Sequence, residues 1–253
     1  VCGRATLTTP GDELREQLGL LVVPTLVPRF NIAPSQPIAL IRTPGVLSFG
    51  AFGLTSVPGR PGRTINLRGE SLPNVPSYRD SFQHRRCLVV VDGFFEWRPQ
   101  DSSAAAQRDL FAGAEDKATR RKAKPKTQAF HVRRSDRKAF TLAAVWSPLP
   151  GAAPDNGQEV ECAIITGVAA GVVARLHDRM PVIVAPSARE VWLSSPEAAP
   201  GATSTRAAKA LLEKETVSLG AVDLVAIPVG ARVGNPAFDD EEVLRPVRGS
   251  EPI

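Results

Sequence analysis

The stretch Arg86-Cys87-Leu88-Val89-Val90-Val91-Asp92-Gly93-Phe94-Phe95-Glu96-Trp97 decides the fold. Cys87–Val91 is an unbroken apolar run and reads as a strand. Asp-Gly interrupts it, and Phe94-Phe95 carry the apolar character on to Glu96, which is expected to project from a strand end beside aromatic rings. A carboxylate in such surroundings is expected to have a raised pKa and to suit proton transfer. Outward from this stretch, short apolar runs bounded by Pro, Gly and Asn recur at Pro37–Arg42, Val46–Phe52, Ala129–Arg133, Phe140–Trp146, Glu161–Thr166, Pro181–Val184 and Val222–Val229. Helical patterns are fewer: Gly11–Leu18, Tyr78–Arg85, Ala169–Leu176, Ala188–Leu193 and Thr203–Glu213. Many strands in irregular alternation with few helices point to an α+β fold and away from a doubly wound parallel sheet.

At 253 residues and 43% hydrophobic composition the chain suits one large domain with a real core. The net charge of +5 is concentrated in Lys117–Lys138, which holds ten Lys/Arg against one Asp. The remainder carries 21 basic and 25 acidic residues, so overall basicity is weak evidence for a polyanionic partner. Residues 98–128 lack a period and are expected to be a mobile basic insertion; 148–158 and 195–202 read as loops, and 248–253 as a frayed tail. Three cysteines without regular spacing, and the lack of an apolar leader, fit a cytoplasmic protein with free thiols. No apolar run approaches the roughly 18 residues of a membrane span. The scattered histidines and cysteines show no ligand spacing, so neither metal nor cofactor is expected.

The first four residues are Val-Cys-Gly-Arg, and the only methionine is Met180. If Val1 represents an initiator at a GUG codon, the small Cys2 behind it permits its removal, leaving Cys2 with a free amine. An α-amine has a pKa of about 7.7–8.0 against about 10.4 for lysine, so part of it is nucleophilic at neutral pH. The Cys2 thiol, with a reference pKa near ~8.5, lies on the same residue. An aldehyde meeting this pair forms an imine and is then trapped by sulfur in a five-membered ring. An inert early cysteine is the plain alternative.

Five separated segments place Cys2 in a wider pattern: Cys2-Gly3-Arg4; Phe30-Asn31-Ile32-Ala33-Pro34-Ser35-Gln36; Ile65-Asn66-Leu67-Arg68-Gly69-Glu70-Ser71; the opening stretch Arg86–Trp97; and His177-Asp178-Arg179-Met180-Pro181-Val182-Ile183. In this order they resemble the SOS-response-associated peptidase family. The resemblance implies a catalytic group of Cys2, Asn66, Glu96 and His177. The expected fold is then one domain over residues 2–247, with a mixed or antiparallel sheet curled into a barrel-like shape and flanked by short helices. Each residue type suits the implied chemistry: imidazole titrates near neutrality and can protonate a sugar ring oxygen, and the Asn66 amide offers donors and an acceptor at once. Arg4, Arg68 and Arg179 are permanently charged forks suited to phosphates. Thr166 is either a further phosphate donor or a strand-end cap, and Phe52 is the candidate for base stacking. Cys87 and Cys162 are assigned to the core, as are Trp97 and Trp146; His84 and His131 are assigned to the surface.

The family's Trp-Gly-Leu-Val/Ile-Pro-x-Trp appears here as Phe52-Gly53-Leu54-Thr55-Ser56-Val57-Pro58, without either tryptophan. Its usual Thr-Thr-Glu-Ala-Asn appears as Thr166-Gly167-Val168-Ala169-Ala170. The activity implied is covalent capture of abasic sites in single-stranded DNA by a monomer, through a thiazolidine at Cys2. A cysteine peptidase with an N-terminal nucleophile and a non-covalent single-strand binder are the competing readings.

Overall fold

The structure, a computed structural model, describes residues 2–55, 62–99, 127–149, 160–194, 203–218 and 223–253. In chain order its strands are β1 (Ala5–Leu7), β2 (Arg29–Ile32), β3 (Pro37–Thr43), β4 (Val46–Phe52), β5 (Leu54–Thr55), β6 (Arg63–Thr64), β7 (Asn66–Arg68) and β8 (Arg86–Val91). They continue as β9 (Gly93–Pro99), β10 (Thr127–Arg134), β11 (Phe140–Pro148), β12 (Val160–Val168), β13 (Arg179–Pro181), β14 (Ile183–Val184) and β15 (Leu224–Val229). The α-helices are α1 (Gly11–Leu18), α2 (Pro76–His84), α3 (Arg189–Leu193) and α4 (Thr203–Ser218). Among the described residues no helix is long and apolar enough to cross a membrane.

The strands form a ring. β11 pairs with β8 on one side and β12 on the other, β8 pairs with β3, β3 with β4, and β4 returns to β12 in parallel. The expected curled, mixed sheet of an α+β domain is therefore present. Beyond the ring, the second half of β12 is flanked by β7, parallel, and by β13, antiparallel. β8 is buried at all six positions because the ring interior covers one side while α2, α3 and β1 pack nearby. A strand covered on both faces needs an unbroken apolar run, which is what Cys87–Val91 supplies. Cys87 and Cys162 are fully buried thiols in this core, as expected. Arg86, at the start of the same strand, ties helices to it by donating to the carbonyls of Phe82 and Gln83 at the end of α2 and of Trp192 and Ser194 around the end of α3. Burial pushes its guanidinium down to about 10.

Asp92-Gly93 is the corner at which the chain leaves the ring and enters a second sheet, ordered β15-β10-β9-β1-β2. Gly93 is required by close approach: a Cβ there would lie 2.1 Å from His131 Nε2. The Asp92 carboxylate accepts from the Thr6 hydroxyl at 2.5 Å, from the Thr8 amide and hydroxyl at 2.5 and 2.8 Å, and from the Thr9 amide and hydroxyl at 2.9 and 3.1 Å. One buried acid thus anchors β1 and the turn after it to the corner.

Four sequence expectations need correction. His131 is buried, not on the surface: its Nε2 lies 3.2 Å from the Thr6 hydroxyl, its ring packs on Phe95, and burial pushes its pKa down to about 4. The segment Ala169–Leu176 is not an α-helix; only Val173–Arg175 forms a 3-10 turn, after Gly171 adopts φ +56°. The tail is docked: Ile253 exchanges both main-chain hydrogen bonds with Ala226 at 3.0 and 3.1 Å. The basic insertion starts later and ends earlier, because Arg98 pairs with Gln128 and Pro99 with Thr127; its remaining residues, 100–126, lie outside the described residues. The expected loops 148–158 and 195–202 also fall largely or wholly outside them.

Candidate active site

The second sheet sets Cys2 in place. β1 lies antiparallel to β9, and the Phe95 amide donates to the Arg4 carbonyl at 3.0 Å, so residues 2–4 run beside the Phe95–Trp97 end of β9. Glu96 stands on that strand opposite Phe130 and is 1% exposed. Its carboxylate lies close enough to Cys2 for its charge to act on the thiol. From the ring side, Asn66 opens β7 and its Nδ2 donates to the Cys2 carbonyl at 3.2 Å. Asn66 therefore holds Cys2 by its carbonyl from one sheet while Glu96 faces its thiol from the other.

Electrostatics follow from burial. The fully buried Cys2 thiol is pushed up by desolvation and further by the charge of Glu96. Glu96 is itself pushed up by desolvation, against opposing contributions that include the charge of the His177 ring. A thiol so placed is a proton carrier at neutral pH, and a carboxyl with a raised pKa beside it can take up and return that proton.

His177 follows the Val173–Arg175 turn, whose Val173 carbonyl accepts its amide at 3.0 Å. Two groups compete for its Nδ1: the Arg179 amide donates to it at 3.0 Å, and the Asp178 carboxylate lies 2.6 Å away. With Nδ1 accepting from Arg179, the neutral ring carries its proton on Nε2 as a hydrogen-bond donor; the doubly protonated ring, with Nδ1–H on Asp178, is the form that can transfer the Nε2 proton.

The expected phosphate contacts are placed unevenly. Arg68 is exposed, two residues along β7 from Asn66 and beside Glu70. Arg179 forms a bidentate pair with Glu70, both N···O distances 2.9 Å, and also donates to the Thr166 carbonyl at 2.6 Å and hydroxyl at 3.3 Å. Thr166 is buried, its hydroxyl donating to the Leu67 carbonyl at 3.2 Å, so in this structure it caps strands instead of facing solvent. Arg4 points inward, donating to Asn31 at 3.0 Å and to the Val233 and Gly234 carbonyls at 2.6 and 3.1 Å. Phe52 is a correction: it is fully buried in the core at the end of β4 and presents no ring for stacking. Sequence reading missed Glu70, Asp178 and Asn31 as partners, although all three lie inside the segments that carried the resemblance. Among the described residues no group of three His, Cys, Asp or Glu is arranged to hold a metal.

This geometry defines a class: α+β proteins whose closed strand ring and adjoining sheet converge on a buried cysteine at the start of the chain. The chain matches SOS response associated peptidase (SRAP) over residues 1–236, and it belongs to that family. It is 26% identical to the abasic site processing protein YoqW of Bacillus subtilis (strain 168) over 255 residues, covering 96% of this chain and 99% of the relative. It is 25% identical to the abasic site processing protein YedK of Escherichia coli (strain K12), covering 88% and 87%. A solved phage-related protein from Bordetella bronchiseptica shares the fold with a TM-score of 0.64 at 23% identity, over 90% of this chain and 94% of that one.

Proposed function

We propose that this protein captures abasic sites in single-stranded DNA by forming a covalent thiazolidine at Cys2. The observation that carries the reading is the convergence on Cys2 of three side chains: Asn66 donates to its carbonyl, Glu96 lies close enough for its charge to act on the thiol, and His177 is close enough to act on Glu96 electrostatically. The relatives named as abasic site processing proteins support the substrate class.

The steps follow from these groups. His177, in its doubly protonated form with Nδ1–H held by Asp178, gives its Nε2 proton to the deoxyribose ring oxygen while the C1′ hydroxyl gives its proton to the Glu96 carboxylate, and the sugar opens to its aldehyde. The Cys2 α-amine, which must be free of residue 1, adds to C1′, and Glu96 relays the protons as the carbinolamine loses water to an imine. The Cys2 sulfur then adds to the imine carbon and its proton passes to the nitrogen, closing the ring with a net loss of one water. Asn66 keeps the amine and thiol aimed at one carbon. Arg68 is the cation best placed for the flanking phosphate, since Arg4 and Arg179 are engaged within the protein. Backbone contacts of this kind carry little sequence information.

Denaturing gel electrophoresis with an abasic oligonucleotide tests the reading. A band that survives detergent in the wild type and vanishes in Cys2→Ala is expected. DNA association that is equal in both and lost on denaturation contradicts it, and peptide turnover without a DNA adduct would place the chain with N-terminal-nucleophile peptidases.

A further inference from the structure

A pocket of about 240 Å3 opens beside the site, between the Gly69-Glu70 and Gly167-Val168 segments and the helix α4. No step of the proposed chemistry uses it. Its place in the fold is telling. β7 and β12 run in parallel with Asn66 opposite Ile164 and Arg68 opposite Thr166. The next residues on the same two segments, Gly69-Glu70 and Gly167-Val168, form the pocket wall. Along this pair one passes from Asn66, at Cys2, to Arg68, and then to the pocket, about 10 Å from Asn66 at a rise of ~3.3 Å per residue.

We propose that this pocket receives the nucleobase of a nucleotide next to the lesion. The inference rests on the abasic-site reading and extends it, naming what holds the DNA on one side. The walls suit a flat ring: Val182 and Leu212 give an apolar floor, and Val168 stands at the mouth 56% exposed, apolar surface that a ring would cover. Beside Glu70, whose two oxygens are bound by Arg179, the rim carries one acceptor, Glu213, and one donor, Lys209, which suits the mixed edge of a base. Sites for drug-sized ligands run to about 300–1,000 Å3, so this one holds a single ring system and not a whole nucleotide. It also offers a sequence-tolerant grip in a chain whose Phe52 is buried, because apolar contact with a ring face does not depend on the base.

The test measures the protein concentration that gives half-maximal crosslinking on three single-stranded oligonucleotides with a central abasic site. One has normal neighbours; the other two replace the 5′ or the 3′ neighbour with a tetrahydrofuran spacer, which lacks a base and cannot open to an aldehyde. For the wild type, the spacer on one side raises the half-maximal concentration about tenfold, the scale that burying one ring face supplies, and the spacer on the other side leaves it unchanged. In Val168→Asp, an exposed position at which folding tolerates change, that ratio falls to near one. General repulsion of phosphate by the new carboxylate cancels in the ratio. Equal values on all three oligonucleotides, or a ratio retained in Val168→Asp, overturn the inference while leaving the crosslinking reading intact. No crosslink with any oligonucleotide overturns both.

Discussion

Replacing Asp92 with alanine removes the acceptor of five hydrogen bonds at once, all between 2.5 and 3.1 Å. The consequence can be sized. A buried polar group left without its partner costs about 1–3 kcal/mol. The Thr6 hydroxyl is fully buried and keeps only His131 Nε2, at 3.2 Å, as a partner. The Thr8 and Thr9 groups are only partly buried, so water takes over some of their bonds and they count at the low end. The sum is a loss of roughly 3–5 kcal/mol, and a drop in Tm of about 10 °C for a chain of this size. Urea denaturation should show a lower midpoint at an unchanged m-value, since the same surface is exposed on unfolding. Thr9→Ala, which deletes only the weakest of the bonds, should cost no more than about 1 kcal/mol. At a temperature where both proteins are folded, Asp92→Asn should also crosslink several-fold more slowly, because β1 carries Cys2 and its anchor has loosened. A loss below about 1 kcal/mol in Asp92→Ala would refute the claim that the corner holds β1 through this acid.

The buried His131 predicts acid sensitivity. Its pKa of about 4 in the folded protein lies below the ~6.5 of an exposed imidazole, so the unfolded chain binds its proton first as the pH falls. The contribution of this group to stability is therefore complete above about pH 6.5 and is lost as the pH drops toward 4, by on the order of 3 kcal/mol; a His131→Gln variant followed by urea denaturation across that range should show a flatter profile. Glu96→Gln keeps the shape of the side chain but cannot relay protons, and single-turnover crosslinking should slow by about 100-fold with DNA association unchanged in fluorescence anisotropy. Arg68→Ala should weaken non-covalent DNA binding on all sequences and reduce the slope of log K against log salt by about 0.7, the value for one phosphate on a single strand.

The sequence carried the architecture where physical patterns were long and local. β8, β11 and β12 are apolar along their lengths because the closed ring buries both faces, and such runs are plain to read. Short strands with mixed composition were missed: Arg29-Phe30-Asn31-Ile32 and Asn66-Leu67-Arg68 become strands only because β1 and β12 offer their edges. His131 looked exposed because Arg133 and Arg134 follow it, yet β10 is buried on both faces around it, and Gly93, two residues from its cross-strand partner Phe95, leaves room for the ring. At the site, the family resemblance singled out Cys2, Asn66, Glu96 and His177, and their residue types suited the implied chemistry. What the cations bind was not legible. The carbonyl of Val233 that occupies Arg4 is 229 residues away, and the Glu70 that fills the fork of Arg179 is 109 away. Phe52 took the place of a family tryptophan in the sequence, but the ring of strands closes over it.

The central claim is that Cys2 joins the DNA through both its nitrogen and its sulfur, and intact-protein mass spectrometry after incubation with an abasic oligonucleotide tests it most directly. The account predicts a protein that begins at Cys2 and a single adduct whose mass is the sum of protein and oligonucleotide less one water, resistant to denaturation and absent in Cys2→Ala. A protein that retains Val1 and forms no adduct would contradict it, because an amide nitrogen at Cys2 cannot form the imine that the thiazolidine requires.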